Sequence, residues 1–203
     1  MEGKLVVIEG LDGAGKSTLA DQLEKRLLQK RKVLRYAEPG GTDAGEQIRW
    51  MLKNSAMPIN DHAEALLFAA ARAQLAEQIR LDLQAGHWVF LDRWLFSSVA
   101  YQGRARGLGE EAVASINRWA ISGLSPDLWI YLRLSLEEAE RRRSVRGEGA
   151  DRIEQEPRSF FAEVSEAYEA MACEDDAAVV LSAELDPATL AERAWTELER
   201  IGA

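Results

Sequence analysis

The sequence predicts an α/β fold, in which a doubly wound parallel sheet is covered by helices on both faces. Along its 203 residues, short apolar segments alternate with longer segments of helical periodicity, which is the order that builds parallel sheets. The first apolar run, Leu5-Val6-Val7-Ile8, has no alternating polar positions, as expected for a strand buried on both faces. A glycine-rich segment follows this run directly and opens a helix. Right-handed crossovers between such units would cover the sheet on both sides.

The first half of the chain supplies three of the predicted strands. They are expected at residues 4–9, 32–36 and 87–91, with helices at residues 16–29, 44–53, about 61–83 and 94–102. Thr42 or Asp43 can cap the second of these helices, because a side-chain oxygen accepts a hydrogen bond from a free N–H group of the first turn. Asn60 or Asp61 can cap the third helix in the same way, and Gly86 is expected to end it.

The second half continues the alternation. Two further strands are expected at residues 127–132 and 178–181, with helices at residues 110–121, 135–145, 158–171 and 187–201. Ser135 has Glu138 three residues further on, which is typical of a capping box, and Pro187 suits the first turn of the last helix. Because no linker or low-complexity segment interrupts the pattern, one domain is expected over residues 1–203.

Composition disfavours several classes of function. The formal net charge of -9 and the pI of about 4.9 argue against a nucleic-acid surface, which needs clustered Lys and Arg. The single cysteine, Cys173, cannot form an internal disulfide and is expected to be partly buried in a helix. No apolar run approaches the roughly 18 residues of a membrane span, and no apolar signal segment precedes the first strand. A cytoplasmic protein without a membrane partner is therefore expected.

The segment from Gly10 to Ser17 has the spacing G-x-x-x-x-G-K-[ST] between a predicted strand and a predicted helix. Glycines at these positions let the backbone bend around a phosphate, with N–H groups pointing inward and the helix N-terminus adding positive charge. Lys16 is expected to reach the β- and γ-phosphates, Ser17 to supply a hydroxyl ligand for Mg²⁺, and Thr18 to donate to the α-phosphate. The predicted nucleotide site comprises Gly10, Asp12, Gly13, Ala14, Gly15, Lys16, Ser17 and Thr18.

A second substrate is expected beside this loop. Asp12 would repel a triphosphate if it pointed into the loop, so its carboxylate is expected to point outward. There it could bind a hydroxyl of the second substrate, hold a metal-bound water or remain a solvated loop acid. Phe68 and Arg72 lie one helical turn apart, which suits stacking and hydrogen bonding to a planar base with carbonyl groups. A core phenylalanine beside a surface arginine would show the same spacing.

The third predicted strand delivers Asp92 and Arg93 at its carboxyl end, where open α/β sheets bind their ligands. Asp92 is a second candidate metal ligand, and Arg93 can bind a phosphate through two parallel hydrogen bonds. Ser97, Tyr101 and Gln102 follow. Gln102 can read a base edge, and Tyr101 can pack against a sugar in the space that a further hydroxyl would need. A tyrosine and a glutamine that merely end a helix are the alternative interpretation.

Basic residues are concentrated on either side of Gly147-Glu148-Gly149. A glycine-bearing loop flanked by Arg146 and Arg152 suits a lid that closes over ATP, excludes water and brings an arginine to the transferred phosphoryl group. Arg141 and Arg143 fit a solvated helix face instead.

Together these features resemble the thymidylate kinase family over essentially the whole chain. The matching segments are Ile8 to Thr18, Glu38-Pro39-Gly40-Gly41-Thr42, Phe68-Ala69-Ala70-Ala71-Arg72, Asp92-Arg93, Ser97 to Gly103 and Asp151-Arg152-Ile153-Glu154. The resemblance implies a P-loop kinase fold with a five-stranded parallel sheet, a small lid at about residues 141–153, and a homodimer.

The resemblance also implies a binding site for dTMP. The implied site consists of Asp12, Glu38, Pro39, Phe68, Arg72, Arg93, Ser97, Tyr101 and Gln102. Phe68 would stack on thymine, and Arg72 and Gln102 would hydrogen-bond its edges. Tyr101 would disfavour a ribose 2′-hydroxyl, and Arg93 would hold the dTMP phosphate.

The P-loop has no basic residue at positions 11–14, so the chain resembles the family members whose catalytic arginine lies in the lid. The implied catalytic residues are Lys16, Arg93, Arg146 and Arg152. Arg146 is the leading candidate for the transition-state arginine, Arg142 would contribute to ATP binding, and Asp12 would bind the sugar 3′-hydroxyl.

Two residues depart from the family pattern. Ala37 stands where relatives usually carry an arginine, and Trp94 stands where they carry a smaller ring or a histidine. The lid loop, residues 147–150, is also about one residue longer than in similar proteins.

The expected reaction is transfer of the γ-phosphoryl group of ATP, with Mg²⁺, to dTMP. No general base is expected, because a phosphate monoester, with a second pKa of about 6, is already largely ionised at neutral pH. A kinase of another acceptor, such as dUMP or a deoxynucleoside, is the first alternative. A nucleotide-driven switch ATPase is the second, although the sequence has neither an Asn-Lys-x-Asp segment nor an early P-loop lysine.

Overall fold

The structure is a computed structural model that describes residues 3–54, 58–146 and 151–203. Its strands are β1 (Leu5–Gly10), β2 (Val33–Ala37), β3 (Trp88–Asp92), β4 (Leu128–Arg133) and β5 (Ala178–Ser182). Its helices are α1 (Lys16–Leu27), α2 (Asp43–Asn54), α3 (Asp61–Gln84), α4 (Leu95–Ser98), α5 (Glu110–Ile121), α6 (Leu136–Arg146), α7 (Arg158–Glu174) and α8 (Pro187–Arg200), with a π-helical segment at Val99–Ala105. The predicted alternation is confirmed, and most element ends differ by one or two residues.

The strands form one parallel sheet in the order β2-β3-β1-β4-β5. Val7, in the central strand β1, pairs with Leu91 of β3 on one side and with Trp129 of β4 on the other. Every residue of β1 is buried, so side chains that point to either face of the sheet are covered. The predicted α/β fold with a five-stranded parallel sheet is therefore confirmed.

The predicted capping residues explain where several helices begin. Thr42 Oγ1 accepts a hydrogen bond from Gly45 N at 3.0 Å, and Asn60 Oδ1 accepts one from Ala63 N at 2.9 Å. Pro187 opens α8, where Asp186 provides the cap. These local interactions fix the entry of the chain into α2, α3 and α8, which is why their first turns could be predicted closely.

The predicted helix at residues 94–102 differs in the structure, because only Leu95–Ser98 is α-helical and Val99–Ala105 is π-helical. Arg106 N donates to Tyr101 O, five residues earlier, at 2.9 Å. Gly103 allows this segment to lie against α5, since a Cβ atom at Gly103 would lie only 3.0 Å from Glu110 Cα. Long-range packing against α5 accompanies this wider turn, and hydrophobic periodicity does not encode it.

Cys173 lies in α7 as predicted, but its side chain is exposed, so the prediction of partial burial is wrong. The buried face of α7 carries Phe161, Val164, Tyr168 and Ala172, which follow one another at helical spacing. The residue after Ala172 points away from that face.

Among the described residues, no helix combines the length and the apolar character needed to cross a membrane.

Candidate functional site

A cleft of about 520 Å³ lies where the carboxyl ends of β1, β2 and β3 meet. It is lined by Asp12, Gly13, Gly15, Lys16, Ser17, Thr18, Ala37, Glu38, Pro39, Arg49, Leu52, Lys53, Phe68, Arg72, Asp92, Arg93, Ser97, Ser98, Tyr101, Gln102, Asp151, Ile153 and Glu154. Every residue of the implied dTMP site belongs to this lining, as do most of the predicted nucleotide residues. Gly10, Ala14, Arg142 and Arg152 are predicted site residues that do not line the cleft.

The P-loop forms an open anion site at the start of α1. Gly15 precedes this helix with a φ of 88°, in the left-handed region that glycine adopts without strain, and no side chain caps the helix. Lys16 folds back over the loop, where its Nζ donates to Gly10 O at 3.1 Å and to Leu11 O at 3.2 Å. The first N–H groups of α1 are therefore left for an external anion.

Lys16 is buried between two carboxylates. Its Nζ lies 3.8 Å from Asp92 Oδ1 and 4.0 Å from Asp12 Oδ1. Burial lowers the pKa of Lys16, the charge of Arg93 lowers it further, and the two carboxylates only partly oppose these effects. A bound polyanion would therefore favour the charged ammonium group.

The chemistry of Asp92 and Ser17 fits a Mg²⁺ ion. Both residues line the cleft, and Asp92 Oδ1 is buried without a hydrogen-bond partner in the part of the chain that the structure describes. The same part of the chain contains no group of three or more His, Cys, Asp or Glu side chains arranged to hold a metal. Mg²⁺ in nucleotide sites usually has only one or two protein ligands, together with water and phosphate oxygens.

Arg93 lines the cleft, and both of its terminal nitrogens are held by hydrogen bonds. Its Nη2 donates to Asp12 Oδ1 at 2.7 Å, and its Nη1 donates to Ser97 Oγ and Tyr168 OH, both at 3.2 Å. Its φ of 71° lies in the left-handed region, which is costly for a residue with a Cβ atom. The structure therefore fixes both the backbone and the guanidinium of Arg93.

Arg93 and Asp12 each stabilise the charged form of the other. Burial alone would raise the pKa of Asp12, but the positive charges of Arg93 and Lys16 hold it well below its usual range. Burial alone would lower the pKa of Arg93, but Asp12 and nearby tyrosine hydroxyls raise it above its ordinary value. Asp12 Oδ1 lies 2.7 Å from Arg93 Nη2 and 4.0 Å from Lys16 Nζ, so the carboxylate lies between these two cations.

Glu9 in β1 holds the segment that follows Arg93, a role that could not be assigned from the sequence. It is fully buried in β1, and its Oε1 accepts from Trp94 N at 2.8 Å and from Ser97 N at 3.1 Å. Its Oε2 accepts from Ser97 Oγ at 2.6 Å and from Tyr168 OH at 3.0 Å. An acidic residue inside the otherwise apolar segment LVVIEG was the signal that could have identified it.

Arg72 is buried, so the alternative of a surface arginine beside Phe68 is wrong. Its Nε donates to Glu38 Oε2 at 2.7 Å, its Nη1 donates to Ser98 Oγ at 2.8 Å, and its Nη2 donates to Trp94 O at 3.0 Å. Nη2 also donates to Glu38, and Nη1 to Asn117 Oδ1. All five N–H groups therefore have protein acceptors, and a base that bonded Arg72 would share or replace one of them.

Glu38 binds Arg72, and both residues line the cleft. Burial raises the pKa of Glu38 to about 7, and this effect outweighs the nearby charge of Arg72. Its Oε1 is buried and has no hydrogen-bond partner among the described residues, which agrees with a carboxyl group that takes up a proton readily.

Tyr101 and Gln102 are consecutive residues of the π-helical segment, and both line the cleft. Gln102 Nε2 donates to Glu64 Oε1 at 2.8 Å. Burial raises the pKa of Tyr101, against the opposing charge of Arg93, whose guanidinium lies 5.3 Å from the ring centre. Within the described residues Tyr101 OH has no hydrogen-bond partner.

The lid arginines differ in their contacts. Arg142 donates to Glu138 Oε1 at 2.7 Å, to the P-loop carbonyl of Gly13 at 3.2 Å and to Ala183 O at 3.0 Å. Arg152 pairs with Glu64 and not with the P-loop. The side chain of Arg146 and the loop of residues 147–150 lie outside the described part of the chain.

Helix α2 contributes cleft residues that sequence analysis missed. Arg49 donates to Pro39 O at 2.7 Å, and Lys53 Nζ lies 3.1 Å from Asp151 Oδ2. These two basic residues are four positions apart on the helix that Thr42 caps, so helical spacing predicts that they lie on the same face. Leu52 lies between them in sequence and also lines the cleft.

Comparison with known proteins links this cleft to one family. A family model described as thymidylate kinase matches residues 8–193. A protein of Bdellovibrio bacteriovorus named thymidylate kinase is 43% identical over 196 residues, which cover 92% of this chain and 91% of the relative. Proteins of the same name from a Thermoanaerobacter species (44% identity, 83% of each chain) and from Alkalilimnicola ehrlichii (42% identity, 84% of this chain and 80% of the relative) are similarly related.

Proposed function

The chain belongs to the thymidylate kinase family, and we propose that its cleft transfers the γ-phosphoryl group of ATP to dTMP, giving ADP and dTDP. The observation that carries this proposal is the position of Arg93, which lies in one cleft with the P-loop lysine on one side and a base-binding set on the other. A P-loop alone would support only nucleotide binding.

ATP binds through the P-loop in this proposal. The uncapped start of α1 offers backbone N–H groups, and Lys16 is already folded over the loop. Displacing the contacts of Lys16 with backbone carbonyls would bring its ammonium group onto the β- and γ-phosphates. Thr18 lines the same wall and would donate to the α-phosphate.

Mg²⁺ would be held by the Ser17 hydroxyl and the Asp92 carboxylate, together with oxygens of ATP. When bound, the ion neutralises charge on the phosphates and keeps them in position for transfer. Asp92 suits this role because its Oδ1 is buried without a hydrogen-bond partner in the described ranges.

dTMP enters with its phosphate towards Arg93, and Asp12 binds its 3′-hydroxyl in this proposal. Phe68 is half-buried and lines the cleft, so its ring is available for stacking on thymine. Arg72 and Gln102 read the base edges, while Glu38, Pro39, Ser97 and Tyr101 complete the pocket. The family match favours this acceptor over a nucleoside.

Transfer needs no general base. The acceptor phosphate is already largely ionised near neutral pH, because its second pKa is about 6. Catalysis then consists of holding the acceptor oxygen in line with the γ-phosphorus and of neutralising the charge of the transferred group. Lys16 and Arg93 both line the cleft and would supply positive charge to that group.

A lid arginine completes the charge neutralisation. The lid comprises residues 141–153 within a single domain of residues 1–203. Arg146, which directly precedes the glycine-bearing loop in sequence, is the proposed transition-state arginine. Arg142 would contribute to ATP binding from its place beside Gly13, and Arg152 would assist from the acceptor side.

We also propose a homodimer and a cytoplasmic location. Large apolar side chains are exposed on three neighbouring helices, with Trp50 and Met51 on α2, Leu66 on α3 and Trp119 on α5. Such a surface suits a second copy of the chain. Light scattering coupled to size exclusion would measure the mass, and cell fractionation would test the location.

A substrate panel tests the function. The purified protein would be incubated with Mg-ATP and dTMP, dUMP, UMP or thymidine, and ADP release would be followed. The highest kcat/KM is expected for dTMP. Activity confined to thymidine would contradict the proposal, and hydrolysis stimulated by a protein partner without transfer to any nucleotide would support a switch ATPase instead.

A further inference from the structure

We propose that Glu64 is a positioning residue that fixes the amide of Gln102 and thereby selects bases with an N–H donor at N3. This inference rests on the proposed function, because it concerns how the acceptor base is chosen. Glu64 does not line the cleft and touches no substrate. It acts through Gln102.

Glu64 is fully buried in α3, one turn before Phe68. Its Oε1 accepts from Gln102 Nε2 at 2.8 Å and from Arg106 Nε at 3.4 Å. Its Oε2 accepts from Arg152 Nη2. A buried carboxylate is costly unless it is paired, and the two guanidinium groups supply that pairing.

The carboxylate determines which edge of the Gln102 amide faces the cleft. A carboxylate held between guanidinium groups accepts hydrogen bonds and does not donate them. The NH₂ group of Gln102 must therefore face Glu64, which leaves the carbonyl oxygen, on the other branch of the planar amide, directed away from the carboxylate. Because Gln102 lines the cleft and Glu64 does not, the carbonyl oxygen is the group offered to the base.

An acceptor at this position distinguishes two classes of pyrimidine. Thymine and uracil carry an N–H donor at N3, which can donate to the Gln102 oxygen. Cytosine carries an unprotonated N3, so two acceptors would face each other in a buried site, and the amide oxygen would lose its partner. The methyl group that separates thymine from uracil lies on another edge of the base, so Glu64 does not discriminate between these two.

Arg152 adds a link to the lid. It reaches Glu64 from the segment that follows the loop of residues 147–150, and its Nε contacts Leu52 O at 3.5 Å. The same carboxylate therefore holds both the base-reading glutamine and an arginine of the lid.

The test is Glu64→Gln with dTMP, dUMP and dCMP as acceptors. A neutral amide at position 64 has its own NH₂ group, so the Gln102 amide is no longer held in one orientation. We expect kcat/KM for dTMP and dUMP to fall together by about tenfold, while the value for dCMP does not fall. The dTMP/dUMP ratio stays constant and the dTMP/dCMP ratio drops. A purely structural role would lower all three values by one factor and would overturn the proposal.

Glu156→Gln is the matched control. Glu156 also accepts from Arg106, but no contact between it and Gln102 is seen in the structure. The same chemical change there is expected to leave the dTMP/dCMP ratio within about twofold of wild type. An equal drop in both variants would overturn the assignment to Glu64.

A measurement on the wild-type protein keeps the inference testable if Glu64→Gln does not fold. A crystal structure with dTMP, at a resolution that separates nitrogen from oxygen, should show Gln102 Oε1 on N3 and Gln102 Nε2 on Glu64. The reverse orientation would overturn the inference while leaving the proposed function intact. Absence of dTMP phosphorylation by the wild-type enzyme would contradict the proposed function instead.

Discussion

The two sides of the cleft are built in different ways. The proposed ATP side consists of consecutive residues, 10–18, and offers mainly backbone N–H groups at the start of α1. The proposed dTMP side consists of side chains from separate elements, and three of its parts contact a buried glutamate. Glu9 supports the segment of Arg93, Glu38 binds Arg72, and Glu64 binds Gln102.

One fold thereby combines a general site with a selective site. A backbone loop recognises phosphates whatever base they carry, because every phosphate presents similar oxygens. A base is recognised only by side chains in defined orientations, and buried carboxylates supply that order. The contrast predicts that changes on the ATP side affect turnover, whereas changes to the glutamates affect the acceptor or the stability of the fold.

The largest effect is expected for Arg146→Ala. Loss of a transition-state arginine should lower kcat on the order of 10³-fold or more, with dTMP affinity much less affected. Steady-state kinetics and calorimetric titration of dTMP would measure both quantities. Arg141→Ala is the control, because Arg141 is exposed and pairs only with Glu138 among the described residues. Unchanged turnover in Arg146→Ala would move the role to Arg142 or Arg152.

Glu38→Gln should alter the pH dependence of stability. The folded protein raises the pKa of Glu38 from its ordinary value of 4.5 to about 7. Between these pH values the folded state keeps a proton that the unfolded state has released, so this group makes wild-type stability fall as pH rises, by up to about 3 kcal/mol. Urea denaturation at pH 5 and pH 7.5 would show the wild type losing more stability than the variant. Parallel losses would rule out this role of Glu38.

Glu9→Gln should weaken the acceptor side selectively. One edge of the new amide would face N–H or O–H donors with its own NH₂ group, which disturbs the start of α4 and the support of Arg93. We expect kcat/KM for dTMP to fall by about tenfold, while the KM for ATP changes by less than about threefold. Equal losses for both substrates would remove the distinction between the two sides.

The smallest effect is expected for Asn60→Ala, which removes the cap of α3. Loss of such a cap costs about 1 kcal/mol, or about 2–4 °C in Tm for a chain of this size. Asp186→Ala is the matched control, because Asp186 caps α8 in the same way. Both variants should retain wild-type kinetics with dTMP. A kinetic defect confined to Asn60→Ala would show that the acceptor side depends on how α3 begins.

The sequence could predict the fold and the position of the P-loop because their signals are local. Gly10 to Ser17 is one contiguous motif, and Thr42 and Asn60 bond residues three positions away. Phe68 and Arg72 could be paired by helical spacing, but the burial of Arg72 depends on Glu38, 34 residues away in sequence.

The glutamate contacts could not be predicted in the same way. Ser97 lies 88 residues from Glu9, and Gln102 lies 38 residues from Glu64. Such pairs form only once the strands are arranged in the sheet. Hydrophobic periodicity and capping residues therefore do not predict them. The π-helical segment is missed for the same reason, since its position depends on packing between Gly103 and α5.

Asn117 connects the buried Arg72 to the outer face of α5. Its Oδ1 accepts from the buried Arg72, while the same helix exposes Ile116 and Trp119 on its outer face. A contact that displaced this face would therefore reach the guanidinium that is proposed to read the base. Thermodynamic reciprocity then requires dTMP occupancy to change the affinity of that contact by the same factor. In a homodimer joined there, one occupied cleft would bias its neighbour, and substrate concentration would help to set the assembly state.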